Sequence, residues 1–355
     1  MRFIHCADIH LGSKLSSTFP KEIADERRRE LLSAFDRMIS YAKNNDVRAI
    51  LLSGDVFDKD KPTQKDKQFF YKAIMRNPEI DFLYLNGNHD KEGSYTVEDI
   101  PNLKTFNKTD FTSYEYDNVV ISGIEISNEN CEAFYSKLSL DKQKLNIVML
   151  HGDACDSMGM DKVRISELKG KGIDYLALGH IHSYKTGRID DRGIYAFSGC
   201  LEGRGFDECG EKGFVLLEVT DTVKHTFVPF AERTIHDLKI DVTGAHDLYE
   251  VSETVKEKVQ GIDKKDLLHI ELTGELSPEI QLDGKDIEKL LSQHYFVRVK
   301  NKCTLLINAE DYKDDTSLIG EFIRGTTANE QYDDERKKKI ITLGLALLSG
   351  KEADG

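Results

Sequence analysis

No apolar run in this chain approaches the ~20 residues that a bilayer-spanning helix needs, so an integral membrane protein of that kind is excluded. The six cysteines, at positions 6, 131, 155, 200, 209 and 303, contain no Cys-x-x-Cys pair. A zinc ribbon and a dithiol redox motif are therefore excluded, and reduced thiols are the simplest reading. Cys6 lies in an apolar stretch and reads as a small core residue. Positive charge is also in deficit: 49 Lys and Arg stand against 63 Asp and Glu, giving a net charge of −14. That disfavours a free-standing nucleic-acid binder with a broad basic face, because such binding rests on neutralising many phosphates. It does not exclude a nuclease, since part of the acidity can belong to a metal site whose ions offset it. Internal repeats and low-complexity linkers are absent.

What is present fits a soluble protein. A length of 355 residues suits two domains, 39% hydrophobic residues suffice for a sizeable core, and 32% charged residues supply a solvated surface. The opening stretch from Met1 to Asp8 is too short and too soon polar for a signal peptide and reads as a first strand. A cytoplasmic location without membrane contact is expected.

The first ~150 residues alternate strand and helix signals. Strands are expected at 3–7, 49–53, 80–85, 119–122 and 145–150. A helix over 21–44 follows from the spacing of Ile23, Leu31, Phe35, Met38, Ile39 and Ala42, with Arg27-Arg28-Arg29 on its solvated face. Pro62 and Thr63 open a second helix whose inner face is Phe69, Phe70, Ile74 and Met75. The pattern predicts a layered α/β fold. After Gly172, strands at 173–178, 194–197, 213–219 and 224–229 predict a second sheet stacked on the first. From about residue 233 a new unit begins, with strands at 235–242, 267–273, 295–299 and 304–307 and helices at 245–259 and 284–292, in a βαββαβ-like order. Beyond 311 the chain is charged and helical, ending in Arg336-Lys337-Lys338-Lys339 and an apolar run.

Four motifs punctuate the first half: Asp8-Ile9-His10, Gly54-Asp55-Val56-Phe57-Asp58, Gly87-Asn88-His89-Asp90 and Gly179-His180-Ile181-His182. His151-Gly152 lies between the last two. Each falls just past a predicted strand, where open α/β sheets put their sites. Alternate residues of Asp-x-His and His-x-His face the same way if the backbone is extended. The candidate ligands Asp8, His10, Asp55, Asn88, His151, His180 and His182 are oxygen and nitrogen donors without a thiol, which suits Mn²⁺ or Fe²⁺ and less exclusively Zn²⁺. Two such ions roughly 3.5–4 Å apart need a bridging carboxylate and a bridging water that serves as nucleophile. Asp55, the sole ligand of its motif, is the natural bridge. His89 then remains to protonate the leaving-group oxygen, with Asp58 to orient it.

At these motifs the chain resembles the calcineurin-like metallophosphoesterase superfamily. Over its whole length it resembles the SbcD-type DNA-repair exonucleases, the nuclease subunits of SbcCD-like complexes. Three features carry the closer resemblance: Gly-Asp-Val-Phe-Asp at 54–58, the segment from Ser198 to Gly213, and the unit from about 236 to 310. The resemblance implies a four-layer α-β-β-α sandwich over 1–232, a smaller α+β capping domain over 233–312 and a helical tail over 313–355. It gives one metal Asp8, His10, Asp55 and His182, and the other Asp55, Asn88, His151 and His180, with His89 as the catalytic histidine. It also implies DNA as substrate, an SbcC-like coiled-coil ATPase as partner and a homodimer. Residues 332–349 read either as a remnant of the ATPase-docking segment or as a helix packed on its own domain.

The leading expectation is a Mn²⁺-dependent DNA nuclease, with Arg204 and Lys212 toward the substrate. Arg298, Lys300 and Lys302 can line a strand toward phosphates, or form a solvated edge that deters aggregation. The alternative is a small-molecule or nucleotide phosphodiesterase using the same chemistry, and a third class is a non-catalytic scaffold.

Overall fold

The structure, a computed structural model, describes residues 1–58, 63–87, 100–157, 159, 161–277, 280, 282–306 and 312–348. The chain divides into two compact units, Met1–Ile235 and His236–Gly355. No helix among the described residues is long and apolar enough to cross a membrane.

In chain order the first unit begins with β1 (Arg2–Cys6), α1 (Lys21–Asn44), β2 (Val47–Ser53), α2 (Gln64–Met75), β3 (Asp81–Leu85), β4 (Leu103–Thr105), β5 (Thr112–Tyr116) and β6 (Val119–Gly123). It continues through α3 (Phe134–Lys137), β7 (Leu145–His151), β8 (Asp153–Ala154), β9 (Lys162–Val163), β10 (Tyr175–Gly179), β11 (Lys185–Arg188), β12 (Ile194–Phe197), β13 (Gly213–Val219) and β14 (Val223–Pro229). Two six-stranded sheets result, ordered β14-β13-β1-β2-β3-β4 and β11-β12-β10-β7-β6-β5. β1 to β4 are parallel, as are β12, β10, β7 and β6, so the carboxyl ends within each parallel set share one edge.

Side-chain alternation builds the layers. Ile4, Cys6, Ile50, Leu52, Phe82 and Tyr84 pack under Phe35, Met38 and Ile39 of α1 and Phe70 and Ile74 of α2. The intervening residues Phe3, Ala49, Leu51, Leu83 and Leu85 turn the other way, onto Ile147, Met149, Tyr175 and Ala177 of the second sheet. That sheet's outer face, Val148, Leu150, Leu176 and Leu178, is covered by Phe134, Tyr135 and Leu168. The order is helix, sheet, sheet, helix, although among the described residues the last layer consists of α3 and one 3₁₀ turn at Ile165–Leu168.

Two expectations need correction. β13 and β14 do not join the second sheet: β13 pairs antiparallel with β1, and the second sheet instead takes β5, β6 and β7. The seven residues of β13 are mostly buried on both faces, as an interior position beside β1 requires. Arg27 is not on the solvated face of α1. It is 1% exposed and aligned with Ala24, Leu31, Ala34 and Phe35, whereas Arg28 and Arg29 are exposed. Its guanidinium meets Glu30, Glu202 (3.4 Å) and the Gly203 carbonyl (2.7 Å). At α2, Thr63 accepts from the Asp66 N–H in a capping box, and Phe70, Ala73 and Ile74 form the buried face while Met75 is exposed.

The second unit comprises β15 (Ile235–Asp241), α4 (Leu248–Val259), β16 (Leu267–Thr273), β17 (Glu275–Leu276), α5 (Gly284–Leu290), β18 (Phe296–Asn301), β19 (Thr304–Leu305), α6 (Leu318–Thr327) and α7 (Asp334–Leu348). Its α+β core joins Val251 and Val255 of α4 and Ile287 of α5 to Ile240, Leu268 and Ile270 of the three-stranded sheet β15-β16-β18. Asp247, Asp283 and Ser317 cap α4, α5 and α6 through their side-chain oxygens. Lys302 falls just beyond β18 and pairs with Glu271.

Candidate metal centre

The parallel strands β1, β2, β7 and β10 end at the candidate ligands. Asp8 and His10 follow β1, Asp55 follows β2, His151 closes β7, and His180 and His182 follow β10. Backbone bonds knit the connecting turns together: Asp8 N–H to Gly54 O (3.0 Å), His10 N–H to Asp55 O (3.0 Å) and Leu11 N–H to Val56 O (2.8 Å). The His180 N–H lies 3.0 Å from both Asp8 carboxylate oxygens. The turns are not extended. Asp8, His10 and Asp55 adopt φ of 52° and His180 φ of 97°, values that L residues avoid. Left-handed backbone, and not strand alternation, aims these side chains, and its concentration here marks a functional site.

Close approach also depends on missing side chains. A Cβ on Gly87 would lie 2.2 Å from Asp55 Oδ1, and one on Gly54 would lie 2.2 Å from His151 Nδ1. A Cβ on Gly179 would meet the Ser53 carbonyl at 2.0 Å.

Two groups of potential ligand atoms form, Asp8–His10–His182 and Asp8–Asp55–His151, each with its atoms within 4.8 Å of one another. Asp8 belongs to both. Nε2 of His10 lies 3.2 Å from Nε2 of His182, His182 Nε2 lies 3.9 Å from Asp8 Oδ1, and His151 Nε2 lies 3.4 Å from Asp55 Oδ2. The His180 ring stands edge-on to His151 with centroids 5.5 Å apart, outside either group. Asn88 and His89 lie outside the described residues. Asp58 Oδ2 is 3.8 Å from Arg204 Nη1.

Burial and mutual charge set the electrostatics of these groups. Asp8 is fully buried, and burial pushes its carboxyl up to about 7 although His151 and His182 pull it down. Burial works against a charged His151, yet its bond and charge pairing with Asp55, aided by Asp8, raise it to about 9. His10 is depressed to about 3 by burial, with Arg204 adding to the effect. Divalent ions bind such donors at ~2.0–2.2 Å, which sets neighbouring donors roughly 3–3.5 Å apart. The spacings of 3.2 and 3.4 Å found here fit that requirement, and the thiol-free donor set fits Mn²⁺, Fe²⁺ or Zn²⁺.

Behind the ligands lies a second set of polar residues on the segment after β12. Glu208, 4% exposed, places Oε1 2.7 Å from His182 Nδ1 and 2.6 Å from Arg204 Nη2, while its Oε2 accepts the Arg204 N–H at 2.7 Å. Burial opposes ionisation of Glu208, but His182 and Arg204 hold its carboxyl well below the usual range. Lys212, expected toward substrate, is 2% exposed, and its ammonium donates to the His182 carbonyl at 2.7 Å. Glu208 carries no motif in the sequence. The signal that could have found it is an acid four residues after Arg204 in a glycine-rich stretch.

The family model of calcineurin-like phosphoesterases matches residues 1–184. The DNA double-strand break repair protein Mre11 of Sulfolobus acidocaldarius is 25% identical over 374 residues, covering 97% of this chain and 94% of that protein. The uncharacterized metallophosphoesterase YhaO of Bacillus subtilis is 28% identical over 284 residues, covering 75% of this chain and 69% of its own. Among solved structures, a dimetal phosphatase from Danio rerio aligns with 65% of this chain and 99% of its own at a TM-score of 0.45 and 9% identity. With its motifs at the strand ends and more than half its length matched, the chain belongs to the calcineurin-like phosphoesterase family.

Proposed function

We propose that this protein is a divalent-metal-dependent DNA nuclease that hydrolyses phosphodiester bonds in DNA repair, with Mn²⁺ as its preferred ion. The observation that carries the reading is the pair of buried groups Asp8–His10–His182 and Asp8–Asp55–His151 at the carboxyl ends of parallel strands. The choice of DNA is supported by the likeness, over 97% of the chain, to a protein named for DNA double-strand break repair.

In this reading Asp8, His10, Asp55 and His182 hold one ion, and Asp55, Asn88, His151 and His180 hold the other. When bound, the ions neutralise the phosphodiester and lower the pKa of the attacking water. The chain's own residues fix geometry and protons. His89 gives its proton to the leaving oxygen, and Asp58 orients it. Arg204, its Nε and Nη2 held by Glu208, would present Nη1, 3.8 Å from Asp58 Oδ2, to a phosphate oxygen. Residues 1–232 form the catalytic domain and 233–312 the capping domain in this proposal, supported by the division of the chain at Ile235. The proposed partner is an SbcC-like coiled-coil ATPase, for which the exposed Leu318 and Ile319 of α6 and Leu343 and Leu347 of α7 offer apolar surface. A homodimer is the proposed assembly.

Purified protein with Mn²⁺ should degrade linear DNA, and His89→Ala should abolish the activity while leaving metal binding intact. Metal-loaded protein that leaves double- and single-stranded DNA untouched, alone and with the ATPase, yet hydrolyses cyclic or mononucleotides, would replace this reading with a nucleotide phosphodiesterase.

A further inference from the structure

We propose that Glu208, braced by Arg204, is the positioning residue that makes His182 a strong metal ligand and thereby makes the ion held by His10 and His182 the tighter of the two. The proposal rests on the metal-centre reading and adds to it an asymmetry between the two positions.

The argument starts at His182 Nδ1, which has two neighbours with opposite demands. Glu208 Oε1, 2.7 Å away, can only accept a hydrogen bond, so it requires a proton on Nδ1. Arg204 Nη2, 3.3 Å away, can only donate, so it requires a lone pair there. Distance decides between them. Arg204 Nη2 already donates to Glu208 Oε1 at 2.6 Å, whereas the 2.7 Å contact of Glu208 Oε1 with Nδ1 is bonding only if Nδ1 carries a proton. The Nδ1–H tautomer follows, and the Nε2 lone pair is left facing His10 Nε2 at 3.2 Å and Asp8 at 3.9 Å.

The rest of the residue is held as firmly. The His182 carbonyl accepts from Lys212 Nζ at 2.7 Å and from Cys200 Sγ at 3.5 Å. Both donors sit on the same segment as Glu208, so ring and main chain are located by one stretch of chain. Arg204 fixes the carboxylate in turn, through its backbone N–H at 2.7 Å and its Nε at 3.1 Å.

His151 offers an internal comparison. Its Nδ1 faces the Ser53 carbonyl at 2.9 Å, a neutral acceptor. A carboxylate behind an imidazole raises its basicity as a ligand more than an amide carbonyl does, and such outer partners are typically worth 10–100-fold in metal affinity. Of the two ligand histidines compared, His182 therefore has a carboxylate at its Nδ1 and His151 a backbone carbonyl.

The experiment is Mn²⁺ titration calorimetry on wild type, Glu208→Gln and Glu208→Ala, with nitrogen-correlated NMR of the histidine rings in the metal-free protein. Two ions per chain with unequal affinities are expected for wild type. Glu208→Gln can still accept from Nδ1–H and should weaken the tighter ion about tenfold. Glu208→Ala should weaken it toward 100-fold. The second ion should stay within threefold in both, and His10→Ala should remove the same ion. NMR should find a proton on His182 Nδ1 in wild type. Its absence would overturn the proposal whether or not any variant folds. Folded variants that bind both ions as wild type does, or lose both equally, would overturn it as well. A wild type that binds no Mn²⁺ would instead bring down the metal-centre reading, and this asymmetry with it.

Discussion

Replacing Arg27 by Met tests whether the ion cluster behind the candidate metal centre is structural. Arg27 is 1% exposed and Glu202 1%. Their 3.4 Å pair is flanked by Arg37–Glu202 at 3.1 Å and Arg233–Glu30 at 2.8 Å. Removing one partner of a buried pair costs about 3–5 kcal/mol when the other is left uncompensated. Here each carboxylate keeps a second partner, Glu202 through Arg37 and the Glu232 N–H, and Glu30 through Arg233. The expected loss is therefore about 2–3 kcal/mol, below that range. For a unit of this size that corresponds to a fall in Tm of roughly 4–12 °C. The pH dependence has a definite sign. Burial already pushes Glu202 up to about 7 against the pull of Arg27 and Arg37. Losing Arg27 must push it higher, and a carboxyl raised in the folded state withdraws stability as pH rises toward its folded pKa. The gap between wild type and Arg27→Met should be small at pH 6, where the carboxyl is largely protonated in both. It should widen by pH 8.5. Chemical denaturation at the two pH values measures it. A gap below about 0.5 kcal/mol at pH 8.5, or one larger at pH 6, would refute the argument, since a solvated arginine would give the first and loss of mere packing a pH-independent value.

Asp8→Asn removes the carboxylate common to both ligand groups. Mn²⁺ stoichiometry should fall below two, with phosphodiesterase activity reduced on the order of 10³-fold. Gly87→Ala places a Cβ 2.2 Å from Asp55 Oδ1, so Mn²⁺ binding should weaken at least about tenfold while the fold survives, as checked by calorimetry and Tm together. Tyr175→Phe deletes the hydroxyl that meets His5 Nδ1 at 2.8 Å between the two sheets and should cost about 1–3 kcal/mol in urea unfolding. Burial depresses His5 to about 3, so the folded state keeps it neutral while the unfolded chain takes a proton below its usual 6.5. That contribution is lost as pH falls from 6.5, and His5→Leu should flatten the acid limb of the stability curve by up to ~1.4 kcal/mol per pH unit.

The parts of this molecule legible in the sequence are those in which one segment determines its own structure. α1 begins and ends at Lys21 and Asn44, where its apolar spacing places it, and β12, β13 and β16 match their apolar runs residue for residue. The strands expected from the sequence do not include β4, β5 and β11. β11, Lys-Thr-Gly-Arg, is a polar edge strand whose structure comes from pairing with β12 and not from its own pattern. The return of β13 to the first sheet was equally hidden, because an apolar run does not reveal which neighbour will cover it.

The candidate site divides along the same line. Asp8, His10, Asp55, His151 and His182 stand out because an apolar strand stops and a metal-binding side chain follows, and these five meet in the two ligand groups. What aims them does not stand out. The left-handed turns at Asp8, His10 and Asp55 place ordinary L residues in a conformation usually left to glycine, and their neighbours impose it through bonds from one strand end to the next. Arg27 looks like the first of three surface arginines until helix phase and Glu202, 175 positions away, bury it. Glu208 and His182 are 26 residues apart with two strands between them, and no spacing rule links them. The first group can be read along one chain segment, whereas the second exists only once separate segments have met. The residues that support this centre, unlike those that ligate it, are therefore brought together only by contacts between distant segments.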